Sequence, residues 1–123
     1  MEISAINLEE KLSLFSEHWS PRIIGELNGQ LVKLAKIQGE FVWHSHAEED
    51  ELFMVLKGRL IMELRDKIIE AGPGELIIIP KGTEHLPRTR NGEEIHILLF
   101  EPKSTLNTGE LENERTRREL EWI

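Results

Sequence analysis

The chain has 123 residues and carries 15 Lys and Arg against 23 Asp and Glu, a formal net charge of −8. That length suits one domain of about 100–150 residues, and the acidity argues against a nucleic-acid footprint, which needs a basic face, and against attraction to anionic lipid. With no cysteine, disulfides and thiolate zinc sites are excluded. No apolar run approaches the roughly 18 residues of a membrane span. Met1-Glu2 does not open onto a basic stretch and apolar core, so no signal peptide is expected and the cytoplasm is the default location.

In chain order, Asn7 stands before Leu8, Leu12 and Phe15, which share one helical face, and Glu10 is in capping-box position. This predicts a short helix near 8–18, ended by Ser20-Pro21. Arg22 to Leu27 and Gln30 to Ile37 read as two strands around Asn28-Gly29, the dipeptide that best accepts a tight hairpin turn. Leu31, Lys33 and Leu34 do not alternate cleanly, which leaves the register of the second strand open. Glu40 to His46 and Glu51 to Leu56 follow as strands, and Lys57-Gly58 turns the chain into Arg59 to Leu64. Asp66 marks a bend before Lys67 to Glu70, and Gly72-Pro73-Gly74 is another turn. Leu76 to Ile79 is an unbroken apolar run, which predicts burial on both faces. Pro80-Lys81-Gly82 leads to Glu84 to Thr89, and Asn91-Gly92 is a second hairpin signal into Glu94 to Phe100. Many short strands with no helix between them indicate an all-β antiparallel sandwich or closed barrel.

Past Pro102 only Leu111, Leu120 and Trp122 offer apolar anchors in a charged stretch, which reads as an arm along the barrel, a short helix, a docking segment or a solvated tail. Trp122 favours a packed segment, because a large aromatic at the end of a chain usually has something to lie against. The expected organisation is an N-terminal helical segment over 1–21, a β unit over 22–102 and a C-terminal arm or short helix over 103–123, all in one domain.

The chemistry concentrates between Gly39 and Gly58. His44 and His46 are two apart, so in an extended strand their imidazoles point to one face. Beside them Glu48, Glu49, Asp50 and Glu51 offer carboxylates, and imidazole with carboxylate favours a first-row divalent metal. Four adjacent acids leave the carboxylate ligand open, although Glu51 shares a strand face with Phe53 and Val55 whereas Asp50 sits at the strand entrance. Taken alone, a His-x-His pair is often two surface histidines.

Gly39, His44, His46, Glu51 and Gly58 resemble the first motif of the cupin superfamily, and Gly74, Pro80, Gly82 and His85 resemble the second. The resemblance is to small single-domain (type 2) cupins and spans roughly residues 37–100. It departs from the commonest pattern in a gap from Gly39 to His44 one residue shorter, and in Thr89 where many members carry asparagine. It implies a cupin jelly-roll β-barrel, here with a short N-terminal helix and a charged C-terminal segment, and a mononuclear divalent-metal site formed by His44, His46, Glu51 and His85. Fe, Mn, Ni, Zn and Cu are all compatible with that ligand set. Candidate pocket-lining residues are Phe41, Trp43, Phe53, Met54, Met62, Ile78 and Phe100, with His96 inward on the last strand as a neighbour of the site rather than a fifth ligand.

An apolar pocket of this kind suits a small organic ligand. The resemblance implies a small-molecule metalloenzyme, either dioxygenase-like or a sugar isomerase or epimerase. The competing readings are a non-catalytic module that holds metal and metabolite, and a structural dimer. A homodimer is expected in each case, because open sheet edges gain by being covered; neither nucleic acid nor membrane is expected as a partner.

Overall fold

In a computed structural model, residues 2–123 are described. One helix, α1 (Leu8–Leu12), precedes eight strands: β1 (Arg22–Leu27), β2 (Gln30–Gln38), β3 (Glu51–Lys57), β4 (Leu60–Leu64), β5 (Ile68–Ala71), β6 (Leu76–Ile79), β7 (His85–Arg88) and β8 (Glu94–Pro102). The strands form a sheet in the order β1-β2-β8-β3-β6 and a second in the order β5-β4-β7, every pairing antiparallel. The two layers face each other as a jelly-roll sandwich rather than closing into a continuous hydrogen-bonded ring. Ala35, Ile37, Phe53, Val55, Leu60, Met62, Ile77, Ile79, Ile95, Ile97 and Leu99 fill the space between them.

The Asn28-Gly29 turn forms as predicted, with φ angles of 49° and 77° joining β1 to β2. Asn91-Gly92 adopts nearly the same geometry, at 49° and 69°, yet it joins β7 of the small sheet to β8 of the large one. That dipeptide fixes a tight reversal, not which strands pair across it. Gly58 makes the equivalent crossing from β3 to β4 at φ 85°, and a Cβ there would lie 2.4 Å from Ile95 Cγ2. Only glycine fits.

Other expectations need correction. Helix α1 stops at Leu12, not near 18. Its cap is as predicted, with the Glu10 amide donating to Asn7 Oδ1 at 2.8 Å, but the Ser13 hydroxyl donates to the Glu10 carbonyl at 2.6 Å. Beyond it Phe15 packs against Ile24 and Leu34 on the outside of the large sheet, so tertiary packing overrides the helical spacing. Residues 40–46 are not a continuous strand: Glu40 bridges Arg88 and His44 bridges His85, four steps on one side against three on the other. The extra residue is a bulge; between the two bridges the Phe41 amide donates to the Pro87 carbonyl at 3.1 Å, while Pro87, with no N–H, returns no bond. Strand β6 is an edge, so Ile77 and Ile79 are buried while Leu76 and Ile78 stay 50% and 58% exposed.

The irregular run in β2 also resolves. Lys33 points into the sandwich and Leu34 outward, where Phe15 covers it. Residues 103–123 form neither a helix nor a loose tail. The amide of Ile23 donates to the Glu121 carbonyl at 2.8 Å and that of Ile123 to the Ile23 carbonyl at 2.9 Å, so the arm lies along the outer side of β1. Backbone pairing anchors it there, and the Trp122 ring stays 57% exposed instead of packing.

Candidate metal centre and its cavity

The bulged segment and β7 bring the histidines together. His44 exchanges backbone hydrogen bonds with His85, at 3.1 and 2.9 Å, and the Gly82 amide donates to the His46 carbonyl at 2.7 Å. Thr89 ties the two motifs: its hydroxyl accepts from the Gly39 amide at 2.8 Å and its own amide donates to the Gly39 carbonyl at 2.9 Å. The ring centroids of His44 lie 4.3 Å from His85 and 5.1 Å from His46. Glu51 enters from β3 of the facing sheet, with Oε1 at 3.3 Å from Nε2 of both His46 and His85. One potential ligand atom from each of His44, His46, Glu51 and His85 lies within 4.8 Å of all the others, and all four residues are buried. Such a cluster can hold a metal ion.

Two of the rings are oriented by backbone carbonyls. Nδ1 of His44 lies 2.9 Å from the Val42 carbonyl, and Nδ1 of His85 lies 2.9 Å from that of Thr83. A carbonyl only accepts, so each Nδ1 carries the proton and each Nε2 is left with its lone pair free. Nε2 of His46 and His85 and Oε1 of Glu51 are buried with no hydrogen-bond partner among the described residues. Several kcal/mol of desolvation go unanswered in such a cluster unless something coordinates it. Burial, aided by the neighbouring His85, pulls the His44 imidazole down to about 4, so it is neutral near pH 7. Burial would push Glu51 up, but the close approach of Glu101, His46 and His85 outweighs it and holds the carboxyl well below its ordinary range.

A cavity of about 40 Å³ adjoins the cluster, lined by His44 and Glu51 together with Trp19, Phe41, Phe53, Ile97, Leu99, Glu101 and Asn107, among others. Phe41 and Phe53 stand in its wall. Met62 is buried in the core away from the cavity, Ile78 faces solvent, and Trp43 lies beyond the wall with the Arg65 guanidinium 3.8 Å over its ring. Met54, His96 and Phe100 face outward. On β8 the inward set is Ile95, Ile97, Leu99 and Glu101, and His96 Nε2 instead meets Glu94 Oε1 at 3.0 Å. His18 also reaches Glu94, at 2.6 Å.

Four contributors were not foreseen. Trp19 stacks on Phe41 with centroids 4.7 Å apart. Asn107 comes from the C-terminal arm, which is strapped to the histidine loop by the Glu110 amide donating to the Ser45 carbonyl at 3.0 Å. Gly109 permits that approach, since a Cβ there would lie 1.9 Å from Ser45 O. Lys33 and Glu101 form an ion pair at 2.7 Å, each side chain only 2% exposed. Lys33, in the same alternating set as Leu31, Ala35 and Ile37, was the signal for it.

A family model described as the cupin domain matches residues 30–101. The chain belongs to the cupin family. Among solved structures it is similar to a cupin-2 domain containing protein from Shewanella frigidimarina NCIMB 400, at 49% identity and a TM-score of 0.76 over 79% of this chain and 93% of that one. It is also similar to NMB1881 from Neisseria meningitidis, at 29% identity and a TM-score of 0.72 over 80% of this chain and 99% of that one. The uncharacterized protein YdbB of Bacillus subtilis (strain 168) is 44% identical over 71 residues, which span 55% of this chain and 59% of YdbB. Among the described residues no helix of this cupin is long and apolar enough to cross a membrane.

Proposed function

We propose that His44, His46, Glu51 and His85 bind one divalent first-row metal ion, and that this cupin is a small-molecule metalloenzyme of the dioxygenase-like kind. The observation that carries this is the set of buried, partnerless donor atoms on His46, Glu51 and His85 beside a neutral His44. Four protein ligands on an ion that prefers six leave two positions for a small molecule, where the ion supplies Lewis acidity or a redox centre. The protein's own part is to fix the His44 and His85 rings through the Val42 and Thr83 carbonyls and the His44–His85 bridge, and to keep bulk water out with Phe41, Phe53 and Leu99. Those apolar walls offer few partners to the many hydroxyls of a sugar, which favours the oxygenase-type reading over an isomerase or epimerase. A cavity of about 40 Å³ is a few times what one water needs, so the ligand is small.

Elemental analysis of protein purified without an affinity metal column tests the centre. Wild type is expected to carry one equivalent of metal, and His44→Ala and His85→Ala to lose it while keeping their circular dichroism. Metal retained by His85→Ala would separate the second motif from the site. Oxygen uptake by metal-loaded protein across a panel of small organic substrates then tests turnover against passive binding. The same proposal includes a homodimer that covers the exposed β6 side chains Leu76 and Ile78, and a monomeric mass in light scattering at micromolar concentration would count against it.

A further inference from the structure

Lys33 and Glu101 take no part in the proposed coordination, yet they are among the most buried charged residues of the chain. Pairing Leu31 with Glu101 and Lys33 with Leu99 places the two on the inner face of the large sheet, diagonal to each other on β2 and β8. Lys33 Nζ donates to Glu101 Oε1 at 2.7 Å. Glu101 Oε2 is buried with no hydrogen-bond partner among the described residues, and Glu101 lines the cavity while Lys33 does not. The register that pairs Leu52 with Phe100 sets Glu51 beside Glu101 on the neighbouring strand.

A buried carboxylate oxygen on the cavity wall beside Glu51, with no donor of the protein's own, is an arrangement for which an apolar core has no use. A bare ion pair of this depth is often replaceable by apolar residues without loss of stability, so structural need alone does not account for it. A ligand N–H or O–H does. We propose that Glu101, held in place by Lys33, is a ligand-recognition residue whose Oε2 takes a hydrogen bond from a small oxygen-chelating molecule bound in the cavity beside Glu51. The class of ligand is thus narrowed to molecules that offer oxygen donors to a metal and carry a further polar hydrogen. This rests on the reading of the histidine–glutamate cluster as a metal centre.

The test uses Co²⁺-loaded full-length protein and two probes, acetohydroxamate and N-methylacetohydroxamate, which chelate through the same two oxygens and differ in one N–H. Binding is read from the cobalt d–d absorption. Wild type is expected to prefer acetohydroxamate by about tenfold, the worth of one hydrogen bond. Lys33→Met/Glu101→Leu is expected to take up Co²⁺ and lose that preference. Glu101→Gln, which keeps an acceptor for Lys33 and turns an amide N–H toward the cavity, is expected to lose it too and decides the matter if the double variant does not fold. A purely steric rejection of the methyl group would leave the ratio unchanged in both variants and would overturn the inference. Absence of any preference in cobalt-loaded wild type would overturn it alone, whereas failure of wild type to take up Co²⁺ would overturn the metal reading and this inference with it.

Discussion

The cavity is walled by two sheets that hold their polar groups in different ways. On the side of the small sheet, His44 and His85 are each fixed by a backbone carbonyl on Nδ1 and by a shared backbone bridge, so neither ring depends on another side chain for its orientation. On the side of the large sheet, Glu51 and Glu101 are fixed by side chains alone: Glu51 by His46, His85 and Glu101, and Glu101 by Lys33. Burial pushes Glu101 well above its ordinary range, the charge of Glu51 adds to the rise, and Lys33 opposes it. One wall is pre-organised by the backbone and is ready for a cation. The other balances charges against one another, and its members fail together if one is removed.

The sharpest way to break that contrast is at Lys33. Lys33→Met leaves Glu101 in the core without its cation, and a loss on the order of 3–5 kcal/mol is expected, read as a lower denaturant midpoint. Lys33→Met/Glu101→Leu is expected to return most of it. Equal destabilisation by the single and double variants would mean the two side chains are not a unit.

Acid sharpens the other side. The His44 imidazole takes its proton near pH 4 in the folded chain and near 6.5 when unfolded. Between those values the unfolded chain binds more protons, so stability of the metal-free protein falls as pH drops from about 6.5 toward 4, by on the order of 3 kcal/mol in all. His44→Gln is expected to flatten that part of the profile in chemical denaturation. A profile that is already flat in wild type would mean the histidine wall is not held neutral by burial. Metal uptake weakens over the same interval, because proton and metal compete for Nε2.

What the sequence reveals follows the same division. The histidine wall is written in local spacing: His44 and His46 stand two apart, Gly82 and His85 lie in one turn and strand, and the motif glycines frame both. The acid wall is written in strand register, which local spacing does not contain. Lys33 with Leu34 reads as a broken alternation until Phe15 is seen to cover the outer face and Glu101 to meet the lysine inside. The same hidden cover misdirects His96, because both faces of β8 carry apolar residues and parity alone does not say which is inner. Leu76 to Ile79 fails for the opposite reason: an apolar run at a sheet edge looks like one at its centre. The Asn107 contribution depends on Gly109 bringing the arm against Ser45, a contact between residues far apart in the chain.

X-ray absorption of protein loaded with one equivalent of Co²⁺ or Zn²⁺ tests the centre most directly. Multiple scattering from three imidazoles, with the remaining ligands light oxygen atoms, is the predicted result. Two or fewer imidazoles in wild type, or three that persist in His85→Ala, would contradict it.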